Sequence, residues 1–307
     1  MTGEPVFISR GKAALRIPYV PSIILAIFLV FLLAACTSTP APQATPTGAP
    51  PATTPPATGS GGLTVFAASS LKESFTGAGR QFREDNPGVT DLQFNFQGSQ
   101  MLVSQLQQGA PADVFASADK ANMDKAVQAG VIDGAPQELA HNVLTVVLPN
   151  NNPAHIQTLH DLARSGVKLS LADPGVPVGQ YSEQVLDKLA ADPDYGSDFK
   201  QKTLANVVSR EDNVRQVLTR VQLDQVDAGI VYTTDALAAN SASAGPVQPV
   251  KTVEIPTQYN VIAVYYIAPV KGASHPNAAR AWMTYVLSAD GQAFLAKYGF
   301  VALPGKK

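Results

Sequence analysis

Four short segments of this 307-residue chain share one chemical feature. Ala68-Ser69-Ser70, Gly98-Ser99-Gln100, Pro177-Val178-Gly179 and Asp212-Asn213-Val214 each open a predicted helix with small, polar or flexible residues. None carries Lys or Arg at its tip. A helix N-terminus leaves about four backbone N–H groups unpaired and carries roughly half a positive charge. Several such ends aimed at one point make an anion site without any cationic side chain. A serine suits such a corner, because its oxygen can accept an N–H while its single hydrogen points at a ligand. Taken singly, each corner is ordinary. Ser70 and Ser99 read as helix caps, Val178 and Val214 are unremarkable, and Tyr232 at a strand end reads as a core tyrosine. The corners act together only if the fold brings them to one place.

The elements that must do so follow from the hydrophobic pattern. Leu63–Ala67 is a short apolar run, read as a buried strand. After it, Leu71, Phe75, Ala78 and Phe82 fall on one helical face, and Ser70 with Glu73 matches a capping box. Leu92–Phe96 alternates as a strand and leads to a helix with Leu102, Val103 and Leu106 inward. Val114–Ala116, Val143–Leu148, Val167–Ala172, Ala228–Val231 and Val261–Ile267 read as further strands, with helices from about Tyr181, from Asp212-Asn213, and over His275–Lys297. Strands alternating with helices predict an α/β fold with mainly parallel sheets, whose ligands bind outside the carboxyl ends of the strands. Val143–Leu148 and Val261–Ile267 are read as two crossings between lobes. That gives a first lobe of 63–143 plus 265–307 and a second of 144–264.

The first 35 residues hold Arg10, Lys12, Arg16 and Glu4, and without them Lys plus Arg total 19 and Asp plus Glu total 23. So mildly acidic a body makes a poor nucleic-acid binder. The basic stretch, a short apolar run and Leu33-Ala34-Ala35-Cys36 describe an export signal over 1–35, too short in its uninterrupted part to span a bilayer comfortably. Leu-Ala-Ala-Cys resembles a bacterial lipobox, which implies lipidation of Cys36, the sole cysteine. One cysteine excludes an intramolecular disulfide and a thiolate metal cluster. The stretch 37–62 holds seven prolines, seven threonines and no charge. It reads as a tether reaching about 80 Å at ~3.1 Å per residue.

Four segments appear in order: Val65-Phe-Ala-Ala-Ser-Ser-Leu71, Gly109-Ala-Pro-Ala-Asp-Val-Phe-Ala-Ser-Ala-Asp119, Asn213-Val-Arg-Gln216 and Ala228-Gly-Ile-Val-Tyr-Thr-Thr-Asp-Ala236. Together they resemble the molybdate-binding receptors of ABC importers, over nearly the whole body from Leu63 to Val301. The resemblance implies a two-lobed, type II periplasmic-binding-protein-like fold with the ligand in the cleft. It implies oxyanion donors at Ser70 and Ser99 (hydroxyls), Val178 and Val214 (backbone N–H groups) and Tyr232 (hydroxyl). It also implies a monomer without cofactor, partnered by the permease and ATPase subunits of an importer. With the lipobox, the chain is expected on the outer face of the bacterial cytoplasmic membrane.

Molybdate and tungstate are tetrahedral dianions that need donors only. A phosphate receptor must also accept a hydrogen bond from a protonated oxygen, and no proposed contact is a carboxylate. Asp173, Asp212 and Asp235 are taken as caps and loop braces, and Glu73 as the capping-box partner. Sulfate, also a fully ionised tetrahedral dianion, differs by size and stands as the alternative. Three rivals are weaker. A hydrolase would want a Gly-x-Ser-x-Gly elbow or a His-x-x-x-His pair, and neither occurs; His141, His155, His160 and His275 sit in polar, loop-like contexts. Tyr265-Tyr266 resembles the adjacent tyrosines of ferric-iron receptors, but neighbours in a strand face opposite ways, so packing is the better reading. A purely structural surface lipoprotein would not need the capping serines and the Gly-Ile-Val-Tyr-x-x-Asp-Ala pattern together.

Overall fold

The computed structural model describes residues 61–241, 248–301 and 303. The expected signal, Cys36 and nearly all of the expected tether lie outside these residues. Gly61 and Gly62, read from sequence as the tether's end, instead begin the first strand.

The chain runs β1 (Gly61–Ala68), α1 (Lys72–Asp85), β2 (Val89–Gln97), α2 (Ser99–Gln107), β3 (Val114–Ser117), α3 (Lys120–Gln128) and β4 (Gln137–Asn142). It continues through β5 (Leu144–Pro149), β6 (Leu169–Ala172), α4 (Pro177–Ala190), α5 (Phe199–Ala205), β7 (Val207–Glu211), α6 (Val214–Gln222), β8 (Ala228–Tyr232), α7 (Thr233–Ala239) and β9 (Val250–Glu254). It closes with β10 (Ala263–Pro269), α8 (Pro276–Leu287) and α9 (Ala289–Lys297). The helix expected over His275–Lys297 is thus two, broken at Ser288, whose Oγ accepts the Gly291 N–H at 3.2 Å and caps α9.

Two five-stranded sheets result, ordered β2-β1-β3-β10-β4 and β7-β6-β8-β5-β9, each with helices packed on it. Both are mixed, with four strands of each running one way and the fifth, β10 or β5, running against them. β1 is parallel to β2 and β3, and β6 to β7 and β8. β10 is antiparallel to β3 and β4, and β5 to β8 and β9. The reason is the crossing itself. A strand that brings the chain in from the other lobe starts at the cleft and runs away from it, against strands whose carboxyl ends face the cleft. The crossings lie at Val143 and in 255–262, so Val143–Leu148 and Val261–Ile267 mostly belong to β5 and β10 rather than to the connections. β10 begins at Ala263, slightly before the expected division at 265.

The apolar face read for α1 is buried: Leu71, Phe75 and Phe82 are fully enclosed. Phe75, Phe82 and Phe94 pack edge-on or tilted against Trp282 of α8, with ring centroids 5.2, 5.3 and 5.7 Å away. Burying each such ring contributes about 1.5–3 kcal/mol. This cluster fixes α1 and α8 against the first sheet and holds the β1–α1 corner in place at the cleft.

Candidate functional site

β1 ends in a 3-10 turn, Ser69–Leu71, before α1 begins. Ser70 is buried there, with its Oγ 2.8 Å from the hydroxyl of Tyr265 on β10. The expected capping box does not form, since no side chain caps this end of α1. Glu73 instead reaches across the cleft to ion-pair with Arg215 of α6. Two distant partners outcompete a local bond.

Ser99 is the first residue of α2. Its Oγ accepts the Ala118 N–H at 3.0 Å, so its one hydrogen is free to donate elsewhere. Across the cleft, Pro177 opens α4, where a missing N–H costs nothing. Gly179 is required at this corner, because a Cβ there would sit 2.1 Å from the Asp173 carbonyl oxygen. Asn213 caps α6, its Oδ1 accepting from the N–H groups of Arg215 at 3.0 Å and Gln216 at 3.1 Å. Among the described residues, no carbonyl accepts from the N–H of Val178 or Val214. Tyr232, last in β8, is 1% exposed, and its buried hydroxyl has no hydrogen-bond partner among the described residues. Burial holds that phenol well above its ordinary range, so it stays a neutral donor.

All five residues line one cavity, and none of its twelve lining residues is charged. The space open to the centre of a water-sized sphere is about 10 Å³. That suits a guest of a few atoms and lies far below the ~300–1,000 Å³ of sites for larger organic ligands. The lobes meet around it. Gln100 Nε2 donates to the Asp212 carbonyl at 2.8 Å, and a Cβ on Gly98 would lie 2.3 Å from that same oxygen.

The three aspartates divide. Asp173 braces its loop, accepting the Gly175 N–H at 2.9 Å. Asp212 contributes its backbone, and the cap expected of it is made by Asn213. Asp235 accepts the Tyr232 N–H at 3.3 Å, and its Oδ1 lies 2.8 Å from Arg215 Nε, although that N–H is not aimed along the line between them. Burial pushes the Asp235 carboxyl up to about 6 despite the nearby guanidinium. None of the four histidines lines the cavity. His141 lies in β4 rather than in a loop, and His275 sits 3.2 Å from Asp113 beside β1. Among the described residues, no cluster of His, Cys, Asp and Glu could hold a metal ion.

Tyr265 and Tyr266 face opposite sides of β10, Tyr265 fully buried and Tyr266 partly exposed, so they do not form a pair of ligands. The sequence reading nevertheless missed what Tyr265 and Asn142 do. Tyr265 touches Ser70, and Asn142 touches Tyr265 and the two threonines after Tyr232. The available signal for Asn142 was its place, a polar residue directly before the apolar run that starts at Val143.

Residues 63–301 match the family described as bacterial extracellular solute-binding protein. The molybdate-binding protein ModA of Mycobacterium tuberculosis is 38% identical over 89% of this chain and 94% of its own length. A Bacillus subtilis chain named as an ABC transporter substrate-binding lipoprotein is 32% identical over 78% of this chain and 86% of its own. Two solved structures share the fold at 22% identity. The Azotobacter vinelandii periplasmic molybdate-binding protein has a TM-score of 0.65 over 79% of this chain and 99% of its own. The sulfate-binding protein SubI of Mycobacterium tuberculosis has 0.69 over 80% and 88%. The chain therefore belongs to the bacterial extracellular solute-binding proteins and, within them, to the family of the molybdate-binding protein ModA.

Proposed function

We propose that this protein captures molybdate, and tungstate with it, outside the cytoplasmic membrane and hands it to the permease and ATPase subunits of an ABC importer. The observation that carries the reading is the Tyr232 hydroxyl, a buried donor without a partner at a cavity that has no charged lining. An unpaired buried hydroxyl costs free energy, and an anion that accepts from it removes that cost. Ser70, Ser99 and the N–H groups of Val178 and Val214 supply further donors on both sides of the cleft. No carboxylate lines the cavity to accept a proton from a partly protonated oxyanion, which supports molybdate over phosphate. The protein acts by binding and release, without chemistry on its ligand, and Cys36 anchors it to the membrane through lipid.

A ligand that contacts both lobes favours the closed state by its differential affinity. The test is thermal unfolding of the body from Gly61, where β1 begins, with molybdate, tungstate, sulfate and phosphate in turn. A ligand at 100 times its dissociation constant adds about 2.7 kcal/mol of stability. Molybdate and tungstate are expected to stabilise strongly and phosphate not at all. Strong stabilisation by sulfate with none by molybdate would transfer the site to the smaller dianion.

A further inference from the structure

Resting on the reading of Ser70 as an anion donor, we propose that Tyr265, held by Asn142, is a positioning residue that turns the Ser70 hydroxyl hydrogen toward the bound anion. The hydrogens along a buried chain of side chains fix its direction. The Val143 N–H donates to Asn142 Oδ1 at 3.0 Å, and a backbone N–H can only donate, so the amide orientation of Asn142 is fixed. Thr233 Oγ1 also donates to that oxygen, at 3.1 Å. Asn142 Nδ2 is therefore the donor end. It gives to Thr234 Oγ1 at 2.9 Å and, over a longer 3.4 Å, to the Tyr265 hydroxyl.

The Tyr265 oxygen is then an acceptor toward Asn142. Its single hydrogen has one acceptor within reach among the described residues, Ser70 Oγ at 2.8 Å, and would be buried without a partner if Ser70 donated instead, so Tyr265 donates. Ser70 thus accepts from Tyr265, and its own hydrogen is the one left for the cavity that Ser70 lines. Were the chain reversed, Ser70 would spend its hydrogen on Tyr265 and turn a lone pair to the anion. A lone pair facing a dianion repels it, so the direction of the chain decides whether Ser70 helps or hinders.

The chain also ties the donors to the crossings. Asn142 ends β4 at the first crossing, and Tyr265 lies just after the second. Thr233 and Thr234 follow Tyr232 directly, and the rings of Tyr232 and Tyr265 pack at 5.8 Å. Asn142, Tyr265 and Ser70 are all buried, which sets the chain apart from bulk water.

The experiment is a double-mutant cycle on molybdate affinity by titration calorimetry, with parent, Tyr265→Phe, Ser70→Ala and the double variant. Phenylalanine keeps the ring and its packing and removes only the hydroxyl. Tyr265→Phe is expected to weaken binding about 10-fold, and to cost nothing further once Ser70 is alanine. Equal losses in both backgrounds would overturn the proposal and leave the ligand reading standing, whereas a parent that binds no oxyanion would sink the ligand reading and this one with it. A second measurement does not depend on the variant's folding. In parent protein, proton NMR is expected to show a slowly exchanging Tyr265 hydroxyl with a cross-peak to the Ser70 β-protons. A Tyr265 hydroxyl whose only cross-peaks run to Asn142 would place its hydrogen on the wrong side and refute the mechanism.

Discussion

Tyr232→Phe separates binding from folding more sharply than any other single change at this site. The hydroxyl it removes is buried and has no partner among the described residues. Leaving such a donor unsatisfied costs about 1–3 kcal/mol, so its removal relieves the fold rather than harming it. When the anion is present, the same hydroxyl donates to a charge, a bond contributing roughly 1.5–3 kcal/mol. The variant is therefore expected to unfold at the parent's temperature or above it without ligand, and to bind molybdate about 10- to 150-fold more weakly. The two effects have opposite signs, which a general loss of packing cannot produce. Differential scanning calorimetry of the unliganded protein and titration calorimetry with molybdate read them separately. Val178→Ala supplies the contrasting case. It keeps the backbone N–H but leaves a void at a side chain that is 1% exposed, so it should lose stability and retain most of its affinity. Parent-like affinity in Tyr232→Phe, or a lower melting temperature without ligand, would refute the assignment of Tyr232 as a waiting donor.

Three further outcomes are expected. Gly98→Ala places a methyl 2.3 Å from the Asp212 carbonyl oxygen across the cleft, and such overpacking costs about 1–3 kcal/mol, so molybdate affinity read by titration calorimetry should fall about 5- to 150-fold. Burial raises the Asp235 carboxyl from 3.8 to about 6, so the folded state holds this proton more tightly than the unfolded state between those values, and the group's contribution to stability falls as pH rises through that window. Chemical denaturation of Asp235→Asn at both ends should show the variant gaining on the parent by on the order of 3 kcal/mol as pH rises, and parallel curves would refute the shift. Cys36→Ala should abolish incorporation of a fatty-acid analogue and leave molybdate binding intact, and label retained on the variant would end the lipobox reading.

The corners were legible in the sequence because their chemistry is local. A helix start without cations, a serine at that start and a Pro-x-Gly turn each leave a mark within three or four residues. The five residues that the family resemblance singled out, four of them in these corners and Tyr232 at a strand end, line one cavity, yet no local rule could have said that they converge. The failures share a cause. Ser70 and Glu73 fit a capping box by spacing, but Ser70 bonds a residue 195 positions away and Glu73 one 142 positions away. β4, α3 and β9 went unread because Gln137–Asn142, Lys120–Gln128 and Val250–Glu254 mix polar with apolar residues and lack a sustained period. β4 and β9 are set by pairing with β10 and β5, which lie far away in sequence. The mainly parallel character of the sheets was legible, but the one opposed strand in each was not, since the direction of β5 and β10 depends on where the chain crosses and not on their own composition.

Arg215 shows what the site avoids. It directly follows Val214, so a cation stands next to a cavity proposed for a dianion, yet it does not line that cavity. Glu73 from one side of the cleft and Asp235 from its own lobe draw the guanidinium aside. A guanidinium turned inward, ~4 Å from a dianion, would add about 8 kcal/mol of attraction at an effective dielectric constant of 20. That attraction ignores shape, and it would serve sulfate and doubly ionised phosphate as well as molybdate. Neutral donors fixed by the fold act only where an oxygen meets them, so they discriminate by geometry and by protonation. They also leave the ligand less deeply trapped, which a receptor that must surrender its cargo to a permease requires. The Glu73–Arg215 pair adds a second use for the diverted charge. It joins α1 to α6 across the cleft, so the cation withheld from the anion instead helps hold the two lobes together around it.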